Sequence, residues 1–451
     1  MFARIASLFR SAPPAPVKRN GSRWTPERYV AAPVADGLAS RDNNGPRATW
    51  AVTRQPHGAN YVSVISTSTI GDGAAAGSAH KTNAKAIERH FQTKFWRHCD
   101  ADLIRADFGN FCTRVMRSIA IFGEALAVMV TDRRSLALRL RLLNPDQLDM
   151  NRNEEFNGRR IVNGVEFDAE GMIVAYWILP DAPDQPHNTA RPAIRFDAAD
   201  VLHIFDAQFP GQVRGTSPLA PVLTRLHEFD RLEDHLMAKH ATAALFGLVF
   251  TNANAGDAFD DDADVRHPAL EAGASIVAAP GYDVTAVQPP NPEGDIAFMT
   301  ALQRSIAAGL GIPFELLSGD LSNTNYSSAK LGLETFRRRV DALRRTVLEP
   351  KLLDPVWKRF HTLEYLAGRL DIPGYLDDPD AALEVRWLWP QWASLDPSKD
   401  ADAAVALVNA GIMSRVEAIA QRGRDPEEVL AEIARTPAIV PAAPQPMEPA
   451  K

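Results

Sequence analysis

Seven apolar residues, Leu219, Val222, Leu223, Leu226, Phe229, Leu232 and Leu236, recur at helical spacing without a break up to about His240. The preceding Gly215-Thr216-Ser217-Pro218 supplies a start, with Thr216 or Ser217 as cap and Pro218 in the first turn. The spacing predicts one helix of roughly 24 residues, ~36 Å long. Polar, turn-rich sequence occupies residues 252–295, with short strand-like pieces at 275–278 and 284–287. A second helix is predicted over 297–310, closed by Gly309 and Gly311 and stopped by Pro313. Residues 316–330 are small and polar without regular apolar spacing, which predicts a loop. They lead into a third helix marked by Leu333, Phe336, Val340, Leu343 and Val347, with Glu349-Pro350 as its expected end. Two long helices around a polar insertion, then a polar loop and an Arg-rich helix, constrain the fold more than any short motif here.

The rest of the chain changes period. Residues 11–50 mix Pro, Gly, Asn, Arg and two Trp without sustained periodicity and read as an extended arm; 71–79 read as a flexible loop. Phe2, Ile5 and Phe9 share one side of a short N-terminal segment that is too interrupted for a signal-peptide core. Helical faces follow at Ile87, Phe91, Phe95 and Trp96, and at Phe108, Phe111, Val115 and Ile119. From Ala125 to about Phe205 the pattern is that of strands. Leu136, Leu138, Leu140 and Leu142 alternate with polar or small residues, and Asn157-Gly158 and Asn163-Gly164 are hairpin turns. Further helices are expected near 354–368 and 401–434, and a disordered Pro/Ala-rich tail at 437–451. The fold class is α+β.

The 451 residues carry a net charge of −7, which argues against a protein that grips nucleic acid through overall positive charge. Cys99 and Cys112 are too few for a disulfide framework or a zinc knuckle and sit in apolar faces, so both are expected buried and reduced. The most apolar stretch, 118–130, is interrupted by Glu124 and too short to cross a membrane.

No phosphate-binding loop, nucleophile elbow, metalloprotease helix or dinucleotide fingerprint occurs. His235 and His240 are five apart, so they do not converge on one helix face. Asp260, Asp261, Asp262 and Asp264 form an acidic run without the Gly and terminal Glu of a calcium loop. It reads as a solvated or partner-facing loop, with a metal-dependent nuclease on Asp260, Asp262 and Asp264 as the enzymatic alternative. Lys330, Arg337, Arg338, Arg339, Arg344 and Arg345 face Glu334 and Asp341, the pattern of a salt-bridged solvent face.

The run Gly309-Leu310-Gly311-Ile312-Pro313-Phe314-Glu315-Leu316-Leu317-Ser318-Gly319-Asp320-Leu321-Ser322-Asn323-Thr324-Asn325-Tyr326-Ser327-Ser328-Ala329, followed by Glu334 and Arg337-Arg338, closely resembles the signature of the lambda-type portal proteins of tailed bacteriophages. Val213-Arg214-Gly215-Thr216-Ser217-Pro218-Leu219-Ala220-Pro221, Pro355-Val356-Trp357, Trp392-Ala393-Ser394-Leu395-Asp396-Pro397 and Arg422-Gly423-Arg424-Asp425-Pro426 are similar too. The resemblance runs from about residue 85 to 435. It implies a non-enzymatic, cofactor-free subunit of a homo-oligomeric ring, usually a dodecamer, at one capsid vertex. Double-stranded DNA would be packaged and ejected through that ring, and terminase, head-tail adaptor and major capsid protein would be its partners. Localisation would be the virion, and the host cytoplasm during assembly, with no membrane role. A purely structural virion or tail-adaptor protein is the other alternative.

Mapped onto this chain, the resemblance implies an N-terminal, partly extended arm at 1–84 and a wing at 85–216. A first stem helix at 217–242, a clip at 243–292 and a second stem helix at 293–317 would follow. Then come a tunnel loop at 318–328, a long helix with the rest of the wing at 329–400, and a helical, crown-like segment at 401–436. Ser322, Asn323, Thr324, Asn325, Tyr326 and Lys330 would face the channel, with Lys330 read either as a channel cation or as a surface ion pair. The four aspartates of 260–264 would dock partners. Twelve copies would carry about −84, a balance that guides a duplex without trapping it.

Overall fold

The computed structural model describes residues 47–80, 82–102, 106–182, 191–244, 248–252, 282–286, 293–322, 326–392, 397–422, 424 and 426–435. Residues 47–54 are helical. Helix α1 (Pro56–Ile70) follows, with the Gln55 side chain accepting from the His57 and Gly58 amides. The segment read as part of an extended arm thus holds a helix that buries Tyr61, Val62, Ile65 and Ile70. The loop expected at 71–79 is also corrected. Strand β1 (Ala75–Ser78) pairs antiparallel with a late strand, Val385–Leu388. Its small residues permit close approach rather than freedom: a Cβ on Gly73 would meet the Trp96 ring at 3.1 Å.

Helix α2 (Ala84–His90) runs into a π-helical turn, Phe91–Trp96, and Phe91, Phe95 and Cys99 are buried. Helix α3 (Phe108–Phe122) is capped by Asp107 and closed by Gly123 at φ +84°. A Cβ on Gly123 would lie 2.1 Å from the Thr216 carbonyl, so only glycine fits.

Strand β2 (Glu124–Thr131) sits between β3 (Leu138–Leu143) and β9 (Val201–Phe205) in an antiparallel sheet. Between β3 and β9 in sequence, β4 (Glu154–Phe156), β5 (Arg159–Val162), β6 (Val165–Phe167), β7 (Ile173–Ile178) and β8 (Ile194–Asp197) form a five-stranded meander. Asn157, Gly158, Asn163 and Gly164 all have positive φ, as their hairpin turns require. Ala125, Ala127 and Met129 of β2 join the large helical core. Leu126 and Val128 join a second core with Val165, Phe167, Tyr176 and Ile178 of the meander. Burial on both faces of β2, after the end of α3, accounts for the apolar run at 118–130.

Helix α4 (Leu223–Ala244) is the long predicted helix. It starts six residues after Ser217, because Pro221 follows Pro218 and the intervening residues form turns, with Leu219 N–H donating to Ser217 Oγ at 3.2 Å. Strands β10 (Leu248–Asn252) and β11 (Tyr282–Ala286) pair antiparallel within the insertion. The piece expected at 275–278 lies outside the described residues. Helix α5 (Glu293–Leu310) returns, and Gly311 at φ +66° ends it. Gly309 is not a stop: it lies inside α5, where a Cβ would sit 2.4 Å from Val222 Cγ1.

After the short α6 (Phe314–Ser318), helix α7 (Tyr326–Leu343) continues through a π-helical segment, Arg344–Leu353, into α8 (Asp354–Leu366). Pro350 was expected to end this helix. It is instead absorbed by the π segment, whose wider turns accommodate a residue with no N–H. Helix α9 (Pro379–Ala382) precedes β12 (Val385–Leu388). The helical stretch expected at 401–434 is three helices, α10 (Pro397–Asn409), α11 (Arg415–Ala420) and α12 (Pro426–Arg435). Gly411 at φ +71° and the Ser414 cap break it.

Candidate nucleic-acid interface

The α6–α7 connection is built on a fixed base. Asn60 Nδ2 of α1 donates to the Leu316 and Leu317 carbonyls at 2.7 and 2.8 Å. Across the connection, Arg339 Nη1 of α7 donates to the carbonyls of Leu310 and Gly311 at 2.7 and 2.8 Å. These are C-terminal carbonyls of α5 without a helical partner, so a guanidinium there satisfies them and the helix dipole together. Leu310, Ile312 and Leu317 are buried beneath. Tyr61 lies in the same core, and burial pushes its phenol up to about 12.

Above this base the chain is exposed. Gly319 at φ +72° caps α6. Ser318 Oγ accepts from the Asp320 amide at 3.1 Å, and Asp320 Oδ1 accepts from Ser322 N at 2.9 Å and Ser322 Oγ at 2.6 Å. The Ser322 hydrogen bonds hold the Asp320 carboxyl below its ordinary range. Leu321 in the connection and Leu331 in the second turn of α7 are 71% and 69% exposed. Of the expected channel residues, Ser322 and Lys330 are exposed and Tyr326 opens α7; Asn323, Thr324 and Asn325 lie outside the described residues.

The basic face of α7 divides in a way its sequence does not show. Arg338 pairs with Glu334 at 3.2 Å on the surface, as read. Arg344 is 4% exposed, donates to Thr69 and Ser68 carbonyls of α1, and stacks against Trp389 and Trp392. Arg337 also lies over Trp392. Arg344 keeps its expected partner Asp341 at 3.1 Å but corrects the solvent-face reading by its burial, whereas Arg339 stays exposed and gives its guanidinium to the α5 carbonyls rather than to an acid. Gly311 beside Pro313 marked the α5 terminus in the sequence. Nothing local marked Arg339 or Asn60 as its partners.

The α4–α5 pair is buried at one end and exposes apolar side chains toward the other, where an ion pair still joins the helices. Leu226, Phe229, Ile306, Ala307 and Leu310 are buried, Arg225 bonds to Ser305, and Lys239 pairs with Asp295 at 2.6 Å. Farther along, Met237, Ile296 and Phe298 are all more than 60% exposed. Glu233 has its carboxyl raised by burial and by neighbouring Asp230 and Asp234, which gives α4 an acidic stretch.

A second ionic centre locks the two sheets. Arg214 bonds Glu124 through Nη2 at 2.6 Å and Nε at 3.0 Å, and reaches the Pro145 carbonyl at 2.9 Å. His203 Nε2 and the Gly215 amide also meet the Glu124 carboxylate, at 3.1 and 2.7 Å. The same Glu124 that interrupts the apolar run is thus fully engaged.

Cys99 and Cys112 are buried and free, and burial pushes both thiols up, Cys99 to about 12. Among the described residues no group of three or more His, Cys, Asp or Glu is placed to hold a metal ion. Asp260, Asp261, Asp262 and Asp264 lie outside them. No described helix is long and apolar enough to cross a membrane.

A helical pair with exposed apolar side chains at one end and an anchored, exposed polar connection are the features of an assembly subunit. The family model described as phage portal protein, lambda family, matches residues 18–344, and the chain belongs to that family of DNA-packaging portal proteins. It is 29% identical over 377 residues to a probable portal protein of Halomonas phage phiHAP-1, covering 80% of this chain and 71% of that one. To portal protein B of Escherichia phage lambda it is 22% identical over 397 residues, covering 78% and 74%. Among solved structures it is similar to a chain of the native gene transfer agent virion, with TM-score 0.49 and 17% identity, covering 90% of this chain and 96% of that one.

Proposed function

We propose that this chain forms a closed ring, twelve-fold in the expected case, whose lumen conducts double-stranded DNA into and out of a capsid. Its tunnel loop is 318–328, the α6–α7 connection with the last residue of α6 and the first turn of α7. The observation that carries the reading is a contrast: Asn60 and Arg339 fix the flanks of that connection, while Leu321 and Ser322 within it and Lys330 in the second turn of α7 stand exposed. In a ring such a segment lines the passage, with Lys330 offering charge to phosphates and Asn323, Thr324 and Asn325 offering neutral polar contacts. The exposed Met237, Ile296 and Phe298 of α4 and α5 bury against neighbouring stems.

In this reading 243–292 is the clip, and Asp260, Asp261, Asp262 and Asp264 dock terminase and head-tail adaptor. Residues 85–216 and 329–400 are the wing against the major capsid protein. The chain works in the virion after assembly in the host cytoplasm and performs no chemistry itself; ATP hydrolysis belongs to the terminase. Electron microscopy with mass measurement of the purified oligomer tests this directly. A closed ring with an opening wider than the ~20 Å duplex is expected. A stable monomer at micromolar concentration, or an oligomer without a lumen, overturns the proposal.

A further inference from the structure

A cleft of about 1480 Å³ lies between β1, β12, the π-helical segment and the C-terminal helices α11 and α12. The indoles of Trp389 and Trp392 form part of its wall. Glu349, Glu417 and Glu427 stand around them, and Arg344 lies against both indoles, paired with Asp341 at 3.1 Å. In all, seven carboxylates line the cleft against four Lys or Arg side chains, so its field is negative. Trp389 Nε1 donates to Glu349 Oε1 at 2.7 Å, and burial raises the Glu349 carboxyl above its usual range. A cation brought into the cleft would favour the charged form. Tryptophan walls beside carboxylates suit one ligand chemistry above others, an extended proline-rich segment that ends in basic residues. Such a segment arrives already stiff, lays its prolines on aromatic surface and pairs its cations with acids.

This chain carries that sequence. Ser11-Ala12-Pro13-Pro14-Ala15-Pro16-Val17-Lys18-Arg19 has prolines three apart at Pro13 and Pro16, one polyproline turn, followed at once by two cations. Residues 1–46 hold seven Lys or Arg and three acidic residues, a charge opposite to that of the cleft. The reach is ample. Residues 20–46 can span ~90 Å when extended, whereas α1 leads from Gln55 to the Thr69 carbonyl, held by the cleft residue Arg344, in about 22 Å. The C-terminal stretch 436–451 is also proline-rich and begins nearby, but its single base is Lys451 and it carries Glu448. It lacks the charge the cleft calls for.

We propose that residues 11–19 dock in this cleft of their own chain, tying the N-terminal segment to α11 and α12 and so fixing the C-terminal helices against the body.

The test uses a labelled peptide of residues 11–19 titrated against the chain lacking residues 1–19 and against the full chain. Saturable binding is expected for the shortened chain. The full chain, whose tethered copy fills the cleft at high effective concentration, should bind at least ~10-fold more weakly. A peptide carrying Lys18→Glu and Arg19→Glu should lose binding, as should the shortened chain carrying the surface change Glu417→Lys. Absence of binding by the shortened chain, equal binding by the full chain, or indifference to charge reversal each overturns the proposal, as does tight binding of a 436–451 peptide in its place. Val17→Cys with Val416→Cys decides the source, because Cys99 and Cys112 are buried. A disulfide within one chain supports docking in cis, whereas a cross-link between chains assigns the cleft to a second copy's arm and overturns it.

Discussion

Arg339 reaches back across 29 residues to the Leu310 carbonyl at 2.7 Å, closing the polar connection between α5 and α7 into a loop with a fixed neck. Gly311 is part of the same device. Its φ of +66° turns the chain, and a Cβ there would lie 1.7 Å from Arg339 Nη1. The exposed residues 319–322 above the neck and the buried Leu310, Ile312 and Leu317 below it thus meet at one side chain.

Arg339→Ala should therefore loosen the neck without dissolving the fold. Two charge-assisted hydrogen bonds to otherwise unpaired carbonyls are removed, for a cost of about 1.5–3 kcal/mol. Hydrogen exchange should accelerate at 310–317 and stay unchanged in the β2–β3 sheet. Equal protection in both variants would show that the guanidinium does not hold the neck.

Arg214→Met should be far more damaging. It leaves the Glu124 carboxylate, 1% exposed, without its cation, and loss of one partner of a buried pair costs about 3–5 kcal/mol. Glu124→Gln, which keeps an acceptor for the Gly215 amide, should cost less than Arg214→Met. Urea denaturation of the two variants checks the order, and a smaller loss for Arg214→Met would contradict the buried-pair account.

The strands and helices that the sequence announced are those whose signals are local. Asn157-Gly158 and Asn163-Gly164 turn where their chemistry requires, and α4 and α5 follow their apolar spacing. The errors have a common origin in distant partners. Residues 75–78 become a strand only because Val385–Leu388 lies beside them. Pro350 stays inside a helix because the surrounding helical run, packed through Val347, Leu348, Leu352 and Leu353, widens rather than ends. Arg344 looks like a surface charge until the α1 carbonyls and two indoles are placed around it. The loop expected at 316–330 is corrected at both ends, since 316–318 belong to α6 and 326–330 to α7, and small polar composition marked neither those helices nor the anchors Asn60 and Arg339.

Acid should weaken the core around α8 through His361. Burial lowers this imidazole to about 4, and its two nitrogens face the Trp357 and Ile87 carbonyls. A depressed folded-state value means that the unfolded chain takes up a proton first as pH falls from 6.5. Stability is then fully present above that pH and is lost progressively toward 4, by about 2 kcal/mol at pH 5. Burial alone would raise neighbouring Glu364, but Arg369 and His90 hold it below 4.5, so its own loss lies lower on the scale. His361→Phe should flatten the dependence of unfolding between pH 7 and 5; an unchanged slope would assign it to another group.

The final prediction concerns Lys330 and the connection it follows. Between Gly319 and α7 the described side chains are exposed, and Asp320 organises Ser322 by hydrogen bonds within the segment rather than to the body. Such a stretch contributes little to the core, so changing it should spare assembly. Lys330→Glu, or deletion within 322–325, should leave ring size, measured by mass, as in the parent chain. The α5–α6 neck should likewise remain protected, since Asn60 and Arg339 lie outside the altered residues. Packaging should fail at a later stage, because reversing one charge per subunit repels the phosphate backbone all round a closed ring, and a shortened loop cannot follow the duplex. Full-length genomes packaged and retained at parental yield by either variant would remove the loop from the DNA path. Loss of ring formation itself would instead place Lys330 at a contact between subunits.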